Sequence, residues 1–233
     1  MAIFFITGPE GSGTTALVRA LTNHPAAAKG DVARYGRAAV HGASGAQVIP
    51  AEAMSTDRPG RFDLPDRAEA IRCLRNNSAT LLASQPDARA IFFKYSTPAL
   101  RSRVWPVFAP LFEASEFHAI VIWRAPLDTV YSAYRRFYQE RSNRMLDVVA
   151  AALSYVRAVR HIRAQLRESP EGRCLVLRHE RLVARPEAEL RRLCAFAGLD
   201  YCPAEQLLPG RGFSDERGKW KETLRRTLTG GRA

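Results

Sequence analysis

No two of the four cysteines, Cys73, Cys174, Cys194 and Cys202, form a C-x-x-C pair or fall at the spacing of zinc ligands. The pattern excludes a sequence-evident metal site and suits buried thiols in a reducing compartment. No apolar run is long enough to span a bilayer. The N-terminal stretch AIFFI has no basic region before it and ends in a glycine loop, so it reads as a strand and not as a secretory leader. These absences together predict a cytoplasmic chain that needs no metal. Arginines are plentiful but are spread along the whole chain, not gathered into one stripe with interleaved aromatics, which argues against a nucleic-acid partner. There is no internal repeat.

What is present begins with charge. The 233 residues carry a formal net charge of +12, which attracts polyanionic ligands of several kinds without choosing among them. The length fits one α/β domain, expected over residues 1–229 with a disordered tail at 230–233. Apolar strands are expected at the N-terminus, at ARAIFFKY, at FHAIVIW and at CLVLRHE. Helices are expected at Thr14 to Asn23, Asp66 to Ser84, Pro98 to Ala114, after Arg124, and over 145–168, where Leu153, Val156, Val159 and Ile162 recur at helical spacing. A further helix opens at Pro186 and is closed by Gly198. Residues 29–65 are rich in Gly, Ala and Pro and read as a long irregular segment. Strands alternating with helices predict a three-layer fold, a central parallel sheet flanked by helices and similar to the P-loop NTPases.

The chemistry concentrates where the strands end. FFITGPEGSGTTAL runs from a buried strand through a glycine turn into a helix. Gly8 and Gly13 have the spacing of a Walker A loop, but Thr14 stands where that loop has its lysine. Backbone N–H groups of Gly11, Gly13 and the helix start, with the hydroxyls of Ser12, Thr14 and Thr15, still make a phosphate cradle. Arg124 follows a buried strand, and Ser132 stands two helical turns beyond it, a spacing suited to clamping a second phosphate. Late in the chain, Arg217, Gly218, Lys219, Trp220 and Lys221 form a basic loop with an aromatic, suited to closing over a nucleotide.

As a set these segments resemble the sulfotransferases that use 3′-phosphoadenosine 5′-phosphosulfate (PAPS). GSGTT resembles the family's K/R-S-G-T-T loop for the 5′-phosphosulfate, RAPLDTVYS its R-x-P-x-D-x-x-x-S element for the 3′-phosphate, and RGKWK its late covering loop. LRHERLVARPEAELRRLCAFAGL is similar to its Y-E-D-L, proline, helix and F-L-G-L stretch. The resemblance implies transfer of a sulfuryl group from PAPS, with no metal, to a hydroxyl or amine acceptor such as a glycan, lipid or small molecule. It also implies that a loop cation is missing, because Gly11 stands at the family's K/R position.

Lys94, which ends the strand IFFK, is the substitute donor for the leaving phosphate oxygen, in the position where the family carries K-x-H. The histidine of that triplet is replaced by Ser96. Asp31, shortly after the His24-Pro25 step, is the expected general base, with His41 and Glu10 as rivals. Two other readings stay open: a P-loop small-molecule kinase using ATP and magnesium, and a nucleotide-binding protein without activity.

Overall fold

The computed structural model describes residues 2–28, 85–94, 112, 114–137 and 144–207. The elements over these residues are β1 (Ala2–Thr7), α1 (Thr14–Thr22), β2 (Ala90–Lys94), β3 (Phe117–Trp123), α2 (Pro126–Phe137), α3 (Arg144–Glu168), β4 (Cys174–Arg178), α4 (His179–Ala184), α5 (Pro186–Ala197) and α6 (Ala204–Leu207). The four strands pair in parallel in the order β2-β1-β3-β4, which is the sheet expected from the four apolar runs. The helix expected at Asp66 to Ser84, the helix expected at Pro98 to Ala114 apart from Phe112 and Ala114, the irregular segment expected at 29–65 and the tail at 230–233 lie outside the described residues.

Register sets which side chains share a face. Ile3 lies opposite Ile91 and Phe117, and Phe5 opposite Phe93 and Ala119, while Phe4 pairs with Phe92 and His118. Both sides of β1 are buried from Ile3 to Thr7, as a central parallel strand demands, and this is why the run has no polar alternation. On one face Phe4, Ile6, Phe92, Ile120, Ile122, Leu175 and Leu177 pack with Leu17, Val18 and Leu21 of α1, Leu182 of α4 and Leu193 of α5. The rings of Phe4 and Phe92 stack at 5.1 Å.

Two boundaries differ from the expectation. CLVLRHE stops being strand at Arg178, and His179 opens α4, whose Leu182 is drawn into the core. Along α3 the expected apolar stripe is buried only at Ile162. Leu153 and Val156 are 50% and 43% exposed, whereas Asp147, Ala151, Ser154, Ala158, Ile162 and Gln165 face inward. The reason is the partner: Tyr134 of α2 packs with Ala151 in a small buried cluster, so the volume is supplied by the ring and α3 contributes small side chains.

The start and stop of α5 follow its sequence. Pro186 stands at its first turn and Gly198 ends it with φ +66°, while Leu199 N–H donates to Cys194 O at 2.9 Å, as glycine-terminated helices do. His24, in the turn after α1, is buried; its Nδ1 accepts from Ala26 N–H at 3.1 Å, so Nε2 carries the proton and donates to Asp200 O at 2.9 Å. That histidine ties the end of α1 to the segment following α5.

Candidate functional site

The strand order reverses at β1: the chain leaves β1 for β2 on one side and returns to β3 on the other. In open parallel sheets a crevice forms at the carboxyl ends of the strands at such a reversal. The glycine loop leaves β1 there, the Arg124 segment leaves β3 there, and Lys94 ends β2 opposite Ile6.

The loop is pressed against its neighbours at each glycine. A Cβ on Gly8 would collide with the Ile122 carbonyl oxygen of β3 and lie 2.6 Å from Ser12 Oγ. Gly11, at φ +84°, would place a Cβ 2.6 Å from Thr129 O, 3.0 Å from Ala133 N and 3.0 Å from Ser132 Cβ, all in α2. Gly13, at φ +102°, would place one 2.9 Å from His179 Cδ2. Both positive φ values belong to glycine. β3, α2 and α4 thus each press on one glycine of the loop.

Gly13 is also the N-cap of α1, and no side chain caps that end. The helix therefore presents its first N–H groups to the crevice, which is the arrangement that binds anions. Thr7 Oγ1 and Ser12 Oγ are buried without a hydrogen-bond partner among the described residues. An unpartnered buried hydroxyl is costly, and an anion supplies the missing acceptor. Thr14 is buried at the first position of α1 and Thr15 is partly exposed beside it.

Arg124 joins the two segments. Its Nη1 donates to Gly11 O at 3.3 Å, and Ser132 lies beside the same glycine. Glu180 of α4 holds this turn in place, because Oε1 accepts from Ala125 N–H at 2.5 Å. Thr129 Oγ1 donates to Ala125 O at 2.9 Å, closing the first turn of α2. Asp128 in that turn is buried.

Gly11, Ser12, Gly13, Thr14, Thr15, Arg124 and Ser132 are thus brought to one crevice, with Lys94 at the end of the strand alongside. Asp31, His41, Arg217, Gly218, Lys219, Trp220 and Lys221 lie outside the described residues. Sequence reasoning missed Glu180 and His179. The resemblance of LRHERL to Y-E-D-L marked the stretch, but the placement of both residues depends on where β4 ends. Among the described residues no group of three or more His, Cys, Asp or Glu side chains is gathered as if around a metal, and no helix is long and apolar enough to cross a membrane.

The profile of the Sulfotransferase family matches residues 4–203. The chain belongs to the sulfotransferase family. No curated protein matches it in sequence. Its fold is similar to that of a sulfotransferase from Alicyclobacillus acidocaldarius, with 18% identity and a TM-score of 0.56 over 99% of this chain and 92% of that one. It is likewise similar to the sulfotransferase domain of the curacin biosynthetic pathway, with 17% identity and a TM-score of 0.55 over 91% of this chain and 78% of that one. The sulfotransferase domain of the Synechococcus PCC 7002 olefin synthase has the same identity and TM-score, over 98% of this chain and 82% of that one. The three-layer, P-loop-like architecture expected from the sequence is the architecture of this family.

Proposed function

We propose that this sulfotransferase moves a sulfuryl group from PAPS to a hydroxyl or amine acceptor, in the cytoplasm and within a single domain. The observation that carries the reading is the hydrogen bond from Arg124 to the carbonyl of Gly11, with Ser132 against the same glycine. An arginine and a hydroxyl next to an uncapped helix start support a reading in which the crevice offers donors to more than one anionic group of a nucleotide. A kinase reading would need a loop lysine, and Thr14 takes that position.

In the proposed reaction the acceptor oxygen or nitrogen forms a bond to sulfur as the bond from sulfur to the 5′-phosphate oxygen breaks. The acceptor's proton passes to a protein base, and adenosine 3′,5′-bisphosphate leaves with the bonding electron pair. Charge grows on that phosphate oxygen, so donors fixed there lower the barrier more than they strengthen ground-state binding. The N–H groups at the start of α1, the hydroxyls of Ser12, Thr14 and Thr15, and Lys94 are assigned to this end. Arg124 and Ser132 are assigned to the 3′-phosphate, and Arg217, Gly218, Lys219, Trp220 and Lys221 to covering the nucleotide. Asp31 is assigned as the base. Its support lies in the sequence: Asp31 follows the His24-Pro25 step, and Ser96 stands where the family carries its histidine.

Incubating the purified chain with PAPS and a panel of hydroxyl and amine acceptors, and measuring the adenosine 3′,5′-bisphosphate released, tests the reading. Acceptor-dependent release supports it. Binding of the bisphosphate without release under any acceptor would favour the inactive nucleotide-binding alternative.

A further inference from the structure

Six large hydrophobic side chains are exposed among the described residues, and four of them, Leu146, Val149, Leu153 and Val156, stand in one line on α3. The line continues through Arg160, Arg163 and Arg167, which are exposed as well. Steps along it alternate between three and four residues, the spacing of a seam that receives a second helix. At the rise of an α-helix the apolar half is about 15 Å long and the arginine half about as long again. The packing of α3 on α2 uses the other side, where Ala151 meets Tyr134, and leaves this line to solvent. We propose that the line is a docking surface for an acidic amphipathic helix of a partner protein. Apolar residues of that helix cover Leu146 to Val156, and its carboxylates meet Arg160, Arg163 and Arg167.

Charge selects this occupant. Arg157 is exposed beside the arginine half, Glu168 is the one exposed acid between residues 146 and 168, and no ion pair among the described residues neutralises these arginines. Carboxylates brought by a partner would steer the encounter and set its register, while the apolar half supplies burial. A second copy of the chain fits less well. Parallel pairing sets arginine on arginine, antiparallel pairing along the whole line sets arginine on leucine and valine, and joining the apolar halves alone leaves both arginine runs unmatched. The net charge of +12 adds to the repulsion between copies. A bilayer also fits less well, because a helix lying in a membrane surface keeps its basic residues off the apolar face, at headgroup level. On α3 the two kinds of residue share one line.

None of these residues is assigned to the nucleotide, so docking on α3 is testable independently of the sulfotransferase reading. Fluorescence anisotropy with two labelled synthetic peptides tests it. Each has about 22 residues on an alanine-rich helical background, with leucines at the seam positions of one half and glutamates at those of the other. The halves are ordered oppositely in the two peptides, so that parallel and antiparallel docking are both sampled. One of them should bind the full chain, with affinity falling as salt rises. Replacing Leu153→Ser and Val156→Ser together should weaken binding by about tenfold or more, as should Arg160→Glu with Arg163→Glu. The same peptide with lysines in place of its glutamates should bind the charge-reversed variant more tightly than it binds wild type. Arg160→Gln with Arg163→Gln decides the matter if charge reversal prevents folding. No binding of either peptide, or binding that the substitutions leave unchanged, would overturn the proposal. A dimer in sedimentation that the serine variant disperses would overturn it by giving the line to a second copy. Co-flotation with vesicles of phosphatidylcholine and phosphatidylserine that the serine variant abolishes would overturn it by giving the line to a bilayer.

Discussion

Gly11 lies against the backbone of Thr129, so closely that a Cβ on the glycine would stand 2.6 Å from the threonine carbonyl oxygen. Backbone atoms cannot rotate away as a flexible side chain can, and φ at Gly11 is +84°, which further penalises any other residue. Restoring the family's cation by Gly11→Lys is therefore expected to fail. Either Gly11→Lys or Gly11→Ala should lower stability by about 1–3 kcal/mol, through strain and overpacking. Thermal melts and bisphosphate titrations check this. A Gly11→Lys variant with an unchanged melting temperature and tighter nucleotide binding would show that α2 can yield.

The clamp on Arg124 depends on a residue distant in sequence. Removing the carboxylate in Glu180→Ala leaves Ala125 N–H without its acceptor and frees the turn that carries Arg124. The expected loss is about 1–3 kcal/mol, divided between stability and bisphosphate affinity. Glu180→Gln keeps an acceptor oxygen and should lose less. Titration and melting of the two variants side by side would reveal a turn that holds itself if neither differs from wild type.

Much of this was legible in the sequence, and the exceptions share a cause. Buried parallel strands are nearly continuous apolar runs, so β1, β2, β3 and β4 could be read directly. Gly8 and Gly13, and Arg124 with Ser132, could be found because their spacing is local along the chain. The buried face of α3 could not, because it is chosen by Tyr134 on another helix and consists of residues such as Ala151 and Ser154 that carry little hydrophobic signal. His179 escaped for a similar reason: no glycine or proline marks the change from β4 to α4, so the imidazole read as part of a strand. The close contact that excludes a side chain at Gly11 is tertiary and has no sequence signature beyond the glycine itself.

Lys94 tests the chemical step. With leaving-group charge developing mainly in the transition state, Lys94→Ala should reduce PAPS turnover by roughly 100-fold while changing bisphosphate affinity only a few-fold. Steady-state kinetics and a binding titration on the same preparation separate the two effects. Turnover within a few-fold of wild type would assign the donor elsewhere, with Lys221 the next residue to replace.

His118 gives the fold a pH dependence of its own. Burial lowers its pKa below the ordinary 6.5 and Arg173 adds to the effect, outweighing the bond to Glu116 O that favours the charged form. The folded state therefore binds fewer protons than the unfolded state in the window below 6.5, and stability must fall as pH drops through it. Its ring stands 5.2 Å from that of Phe4 and 5.8 Å from that of Phe196. Urea midpoints between neutral and mildly acidic pH should fall more steeply for wild type than for His118→Gln. Parallel curves would place the titration on another group.

The most direct test of the account is nucleotide discrimination by Arg124. The wild-type chain should bind adenosine 3′,5′-bisphosphate more tightly than adenosine 5′-monophosphate. Arg124→Ala should cost the bisphosphate about 2 kcal/mol, as expected for a charge-assisted contact, and should largely abolish the difference between the two. A wild-type chain that binds both nucleotides equally, or an Arg124→Ala variant that still prefers the bisphosphate to the same degree, would contradict a 3′-phosphate site between the glycine loop and α2.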